Sequence, residues 1–189
     1  VPVGGAGAAD VASAAPAVAP DPVAAPPINS FITTFPPING RTITISDGTE
    51  LLPQADETLL HDVTANAALP PAITHVDFIA LRFSDPIETA VWDYIQKFRP
   101  DLLSPDRTRY ADGHLIVALN VDGSSTTGKG SFGFFYGDDV KQGAQLTDEA
   151  RTQGVLAAMK PSMDAQRYAE GMAQAIRAIA DPRIGQEAL

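Results

Sequence analysis

Cysteine is absent from the 189 residues, which excludes disulfides, thiolate nucleophiles and thiolate metal sites. Basic residues are scarce: 13 Lys and Arg stand against 23 Asp and Glu, a formal net charge of −10. That balance argues against nucleic acid as a partner, because binding a phosphate backbone needs a clustered basic surface. It suits cation binding or a basic partner, and equally the plain solubility that acidic surfaces provide. No apolar run approaches the ~20 residues of a membrane-spanning helix, so membrane contact is expected only through a segment outside this sequence. Histidine is rare as well, with 3 in the chain. His61, His75 and His114 lack the spacing of a zinc site, and each is expected to be an ordinary satisfied or exposed histidine.

What is present is enough for one domain. The hydrophobic fraction of 44% supports a packed core, and the length leaves room for a tail. Residues 1–27 are mostly Ala, Pro, Val and Gly, with little bulky apolar material to bury, and predict a disordered linker. Residues 28–181 form the expected globular domain, and residues 182–189 are expected to fray.

The domain is organised around residues 110–139, which read as two strands, residues 114–121 and 131–136, joined by the Gly/Ser/Thr loop of residues 122–130. A loop of that composition is expected to be mobile, and hairpin partners run antiparallel. Upstream, residues 41–46 (RTITIS) have the β-branched alternation of a strand, and residues 75–82 (HVDFIALR) read as a buried one. Between them residues 53–67 predict a helix, with Leu59, Leu60, Val63 and Ala67 on one face. Asp85, Pro86 and Glu88 have the pattern of a capping box with Pro in the first turn. The helix they start carries Ile87, Ala90, Val91, Tyr94, Ile95 and Phe98 at helical spacing. Trp92 falls off that stripe and is expected to be partly exposed. Thr147 predicts the cap of a third helix and Ser162 the cap of a fourth. The expected fold class is therefore α/β: a mixed four-stranded sheet, three strands parallel and one antiparallel, covered by helices in the order β-α-β-α-β-β-α-α.

Acidic residues supply the best candidate chemistry. An antiparallel hairpin brings Asp112 towards Asp138 and Asp139, and converging carboxylates suit a hard cation such as Ca²⁺, which takes 6–8 oxygen ligands. A metal there would also hold a phosphate oxygen and activate water. The same residues, Gly137, Asp138 and Asp139, equally make an ordinary turn. Asp47, Asp85 and Asp122 gather at the opposite edge, by the carboxyl ends of the parallel strands, where open α/β sheets tend to bind ligands. The loop at Ser124–Gly130 (SSTTGKG) lacks the spacing of a phosphate-binding loop and leads into a strand.

Several of these stretches together resemble the TPM domain family, and its secreted or membrane-anchored actinobacterial branch in particular. They are Asp112-Gly113 followed by the apolar strand HLIVAL, Phe134-Phe135-Tyr136-Gly137-Asp138 at the end of the next strand, Leu146-Thr147-Asp148, and the helix opening Tyr168-Ala169-Glu170-Gly171. The resemblance implies an extracytoplasmic α/β domain of the cell envelope, acting as a binding or accessory module beside an envelope or membrane protein partner. Metal-dependent acid phosphatase activity on phosphomonoesters, with Asp112, Asp138 and Asp139 as Ca²⁺ ligands, is the alternative. Val-Gly-Tyr-Gly-Leu-Glu in the family is replaced here by Phe-Phe-Tyr-Gly-Asp-Asp, a departure at the segment to which a catalytic role would attach.

Overall fold

The computed structural model describes residues 6–10, 31–121 and 131–186. The strands are β1 (Ala6–Asp10), β2 (Ile32–Thr34), β3 (Thr42–Asp47), β4 (His75–Leu81), β5 (His114–Asn120) and β6 (Ser131–Tyr136). The helices are α1 (Gln54–Asn66), α2 (Ile87–Phe98), α3 (Asp138–Gly143), α4 (Glu149–Asp164) and α5 (Tyr168–Ala180). All six strands form one mixed sheet in the order β1-β6-β5-β4-β3-β2. Parallel pairing of β3 with β4 and of β4 with β5, and antiparallel pairing of β5 with β6, follow the expected pattern. The fold is α/β, with helices on both faces of the sheet.

The sheet has two strands more than the four expected. β2 adds antiparallel to β3 at one edge, and β1 adds antiparallel to β6 at the other. Ala6–Asp10 thus lies in a ladder where composition predicts a linker; main-chain hydrogen bonding to the free side of β6 needs no bulky side chains. The remainder of residues 1–27 falls outside the described residues, as does the loop of residues 122–130.

Strand alternation divides the core in two. On one face Ile43, Ile45, Val76, Phe78, Leu115, Val117, Phe132 and Phe134 are buried against α1, α4 and α5, together with Leu60, Met159, Met172 and Ile176. On the other, Ile79, Leu81, Ile116, Ala118 and Phe135 meet Ile87, Val91 and Ile95 of α2. Trp92 is half-buried there, its ring edge-on to Tyr110 at 5.2 Å. The second cluster contains no residue of β3, whose side chains on that face are the polar Thr42, Thr44 and Ser46. Among the described residues no helix is long and apolar enough to cross a membrane.

Several element ends differ from expectation. Pro86 is the N-cap of α2 and no side chain caps it; Asp85 instead offers its carbonyl to Asn120 Nδ2. Asp148 rather than Thr147 caps α4, accepting from Ala150 N. Ser162 lies buried inside α4, which runs through Pro161, and the break comes later, where Gln166 takes φ 61°. Gly137, Asp138 and Asp139 open the short α3 in place of a simple turn. Residues 182–186 form turns bonded back to Asp181 and Arg183, and residues 187–189 of the expected tail fall outside the described residues.

Gly137 joins β6 to α3, and its N–H donates to the His114 carbonyl at 3.2 Å. A Cβ at this position would collide with the backbone of Ala111 and Asp112, neither of which is the flexible end of a side chain. Gly137→Ala is expected to lower the free energy of unfolding by about 1–3 kcal/mol, the usual cost of overpacking. Urea denaturation would measure it, and a loss within experimental error would show that the turn yields freely.

Candidate functional site: a polar cleft over the parallel strands

The parallel register sets three strands side by side. Thr42 of β3 pairs with His75 of β4, and His75 with His114 of β5; one step further, Thr44 pairs with Asp77. All of these point to the α2 face, because their neighbours Ile43, Val76 and Leu115 fill the opposite core. At the end of α2, Pro100 follows Arg99, and Arg99 leaves helical geometry at φ −133°, ψ 53°. Its side chain covers the polar end of the sheet.

Arg99 is 5% exposed and Asp77 1%, so both charges need partners. The Arg99 guanidinium donates from Nη1 to Ser46 Oγ at 2.8 Å, from Nε to Asp101 Oδ1 at 3.1 Å and from Nη2 to Asp101 Oδ2 at 3.0 Å. Longer contacts reach Thr44 Oγ1 at 3.3 Å and Asp77 Oδ1 at 3.6 Å. Burial works to lower the Arg99 pKa, but the hydrogen bonds to Asp101 and the charges of Asp77 and Asp101 raise it overall. Burial likewise pushes Asp101 up, and its bonds with Arg99 more than reverse this, holding it below the usual carboxylate value.

Asp77 turns its other oxygen to His114, with Oδ2 at 2.9 Å from Nδ1, while Thr44 Oγ1 donates to Oδ1 at 2.6 Å. A carboxylate only accepts, so His114 Nδ1 carries a proton and Nε2 is the ring nitrogen left for other partners. His75 stacks on His114, centroids 4.2 Å apart and planes 12° apart. Gly113 precedes His114 at φ +82°, and a Cβ there would strike Thr74 Oγ1, so glycine is required for the two histidine-bearing strands to approach. Ile32 and Thr34 of β2 complete a cleft of about 460 Å³ with Thr42, Thr44, His75, Asp77, Arg99, Asp101 and His114. A larger hollow of about 730 Å³ lies between the ends of α1 and α5, but it contains no comparable array of buried charge.

No family model, curated protein or solved structure matches this chain.

The acids expected to bind a cation come together differently. Asp112 Oδ1 is bonded to Arg109 Nη1 at 2.9 Å, and Asp138 Oδ2 lies 3.7 Å from the same nitrogen. Asp139 Oδ1 accepts from the N–H groups of Gly113 and Val140, each at 2.7 Å. An arginine and two backbone donors therefore occupy this edge, and among the described residues no group of three or more His, Asp or Glu is arranged to hold a metal ion. At the other edge Asp47 turns the chain after β3, accepting from Thr49 N at 3.1 Å and Leu52 N at 2.8 Å. Asp122 is outside the described residues. His61 is bonded to its neighbour Asp62 at 3.0 Å.

Sequence reasoning places His75 and His114 at strand starts as isolated residues, whereas the register makes them neighbours. It assigns no functional role to Asp77, Arg99 or Asp101. A usable signal exists in strand parity: Thr42, Thr44 and Ser46, and then His75 and Asp77, put polar residues at every second position of strands whose other positions are apolar.

Burial, followed by the charge of His114, lowers the His75 pKa, and Asp77 and Asp101 only partly offset this. The unfolded chain therefore takes up this proton more readily than the folded one, so His75 makes stability fall as pH drops through about 6.5, levelling off below the folded value. His75→Gln is expected to flatten that fall. Urea midpoints between about pH 7.5 and 5.5 test this, and an unchanged slope in the variant would assign the effect elsewhere.

Proposed function

We propose that the protein is a binding module whose ligand seat is the cleft over β3, β4 and β5. The observation that carries this reading is the Asp77–His114–Arg99 array, buried at the floor of an open cleft. Hydrophobic side chains would satisfy the same sheet positions at lower desolvation cost, so a stability role alone accounts poorly for three ionisable groups there. Asp77 is fixed by Thr44 and Arg99 and orients the imidazole of His114, which suits specific recognition of a polar ligand.

The TPM-like resemblance adds the setting: an extracytoplasmic accessory module of the cell envelope, working with a membrane or envelope partner. A calcium-dependent phosphatase centred on Asp112, Asp138 and Asp139 has less support, since a cation would first have to displace Arg109 from Asp112.

A screen of polar small molecules by ¹H–¹⁵N correlation spectra tests the ligand seat. Saturable shifts concentrated at the amides of Thr42, Thr44, His75 and His114 are expected for at least one chemical class. Ligands that bind and map only to other surfaces would overturn the assignment.

A further inference from the structure

The charges in this cleft are turned on one another. Each nitrogen of the Arg99 guanidinium already donates within the protein, Nε to Asp101, Nη1 to Ser46 and Nη2 to Asp101, with Thr44 close to both Nη atoms. Asp77 has one oxygen on Thr44 and the other on His114. No buried cation is left to receive an anion, and no buried carboxylate is left to receive an ammonium group. Arg99 is the one arginine of the floor and rim and faces the carboxylates of Asp77 and Asp101, an arrangement that further disfavours anionic ligands.

The groups left over are of a different kind. Among the described residues the hydroxyls of Thr34 and Thr42, and Nε2 of His75 and of His114, line the cleft without a hydrogen-bond partner in the protein. Threonine hydroxyls both donate and accept, and His114 has its Nδ1 committed to Asp77, which leaves Nε2 to meet a ligand. A ligand that satisfies this set brings hydroxyl groups, which both donate and accept and so can pair with the imidazole and with the threonines. Building on the ligand-seat reading above, we propose that the cleft binds an uncharged polyhydroxy compound, a saccharide or polyol, with one hydroxyl paired with His114 Nε2 and another with Thr42. The volume of about 460 Å³ lies within the ~300–1,000 Å³ of small-molecule pockets.

The test is a titration of the full chain followed by ¹H–¹⁵N spectra, using probes that share a sugar ring and differ in charge. These are glucose, mannose and galactose as neutral probes, glucose 6-phosphate and glucuronate as anions, and glucosamine as a cation. Saturable shifts at Thr42, Thr44, His75 and His114 are expected from at least one neutral sugar. The anionic forms should bind at least about tenfold more weakly, as expected for a negative charge brought beside Asp77 and Asp101 when the Arg99 guanidinium is already paired. Thr42→Val keeps the side-chain shape on an otherwise intact strand and should weaken the neutral sugar about 3- to 10-fold, the range for one lost hydrogen bond. Tighter binding of a charged form at the same amides would overturn the ligand class while leaving the cleft as a ligand seat. Neutral sugars that leave these amides unmoved, or that bind equally well to Thr42→Val, would also overturn it, whatever the broader screen returns.

Discussion

Arg99→Met is expected to lower the free energy of unfolding by about 3–5 kcal/mol, the range found when one partner of a buried ion pair is removed. Methionine fills much of the aliphatic volume, so the loss reports charge and hydrogen bonding more than packing. What remains is Asp77, 1% exposed, holding its charge against Thr44 and His114 alone. Thr44 and Ser46 also lose their arginine donor at the same time. The double variant Asp77→Asn, Arg99→Met should be less damaged than the sum of its parts, because it no longer buries an uncompensated carboxylate. Urea midpoints of the four proteins measure the coupling. Strict additivity would mean that Arg99 and Asp77 act separately, the 3.6 Å contact between them contributing nothing.

The second large effect lies on the opposite face. Arg151 of α4 donates from Nε to the Ala144 carbonyl at 2.6 Å, from Nη2 to Ile179 at 2.7 Å, and from Nη1 to Asp181 at 2.8 Å and Ile184 at 3.2 Å. Two of these acceptors belong to the open end of α5, whose last carbonyls have no partner within the helix, and a cation there also meets the negative end of the helix dipole. Burial lowers the Arg151 pKa, with Asp181 and Asp148 opposing. Arg151→Met strands several acceptors at once, and about 3 kcal/mol of stability should be lost. For a domain of this size that corresponds to roughly 6–12 °C in Tm. Arg151→Lys should recover little, because a single ammonium cannot spread over carbonyls from three separate stretches of chain. Near-complete rescue by lysine would show that charge alone matters here.

Much of the framework is legible in the chain because it rests on local pattern. Alternation in RTITIS, the apolar run HLIVALN and the helical spacing of α2 each specify an element before any partner is known. The two extra edge strands are not legible in that way. Ile32–Thr34 is β-branched throughout but only three residues long, and Ala6–Asp10 is made mostly of Ala and Gly, so the first is too short and the second too weak in β-propensity to be read as a strand; an adjoining open ladder creates both. The helix ends fail for a related reason. Asp85, Thr147 and Ser162 are all good caps by type, yet Asn120 binds the Asp85 carbonyl, Asp148 stands one residue nearer α4, and Ser162 is swallowed when α4 continues through Pro161.

The cleft depends on information one level higher. That His75 and His114 touch follows from the register of β4 against β5, and 38 residues separate them with a helix between. Which face they share with Arg99 depends on where α2 ends. By contrast, the expected meeting of Asp112 with Asp138 needs only the hairpin, and the two do approach one another. Arg109, three residues before Asp112, is what the hairpin argument omits.

The placement of β1 has a consequence for the order in which the molecule assembles. Ala6 pairs with Phe135, so β1 finds its partner across the longest sequence separation in the sheet. Zipping early would close a loop of about 120 residues, whereas once β2 to β6 are in place the same step closes only about 20, at an entropic cost lower by roughly 1.5 kcal/mol. Folding should therefore run from the β3–β4–β5 centre outward, with the N-terminal strand docking last. The same strand is then the first to leave during native-state fluctuations, so its amide hydrogens should exchange with solvent well before those of β4 and β5.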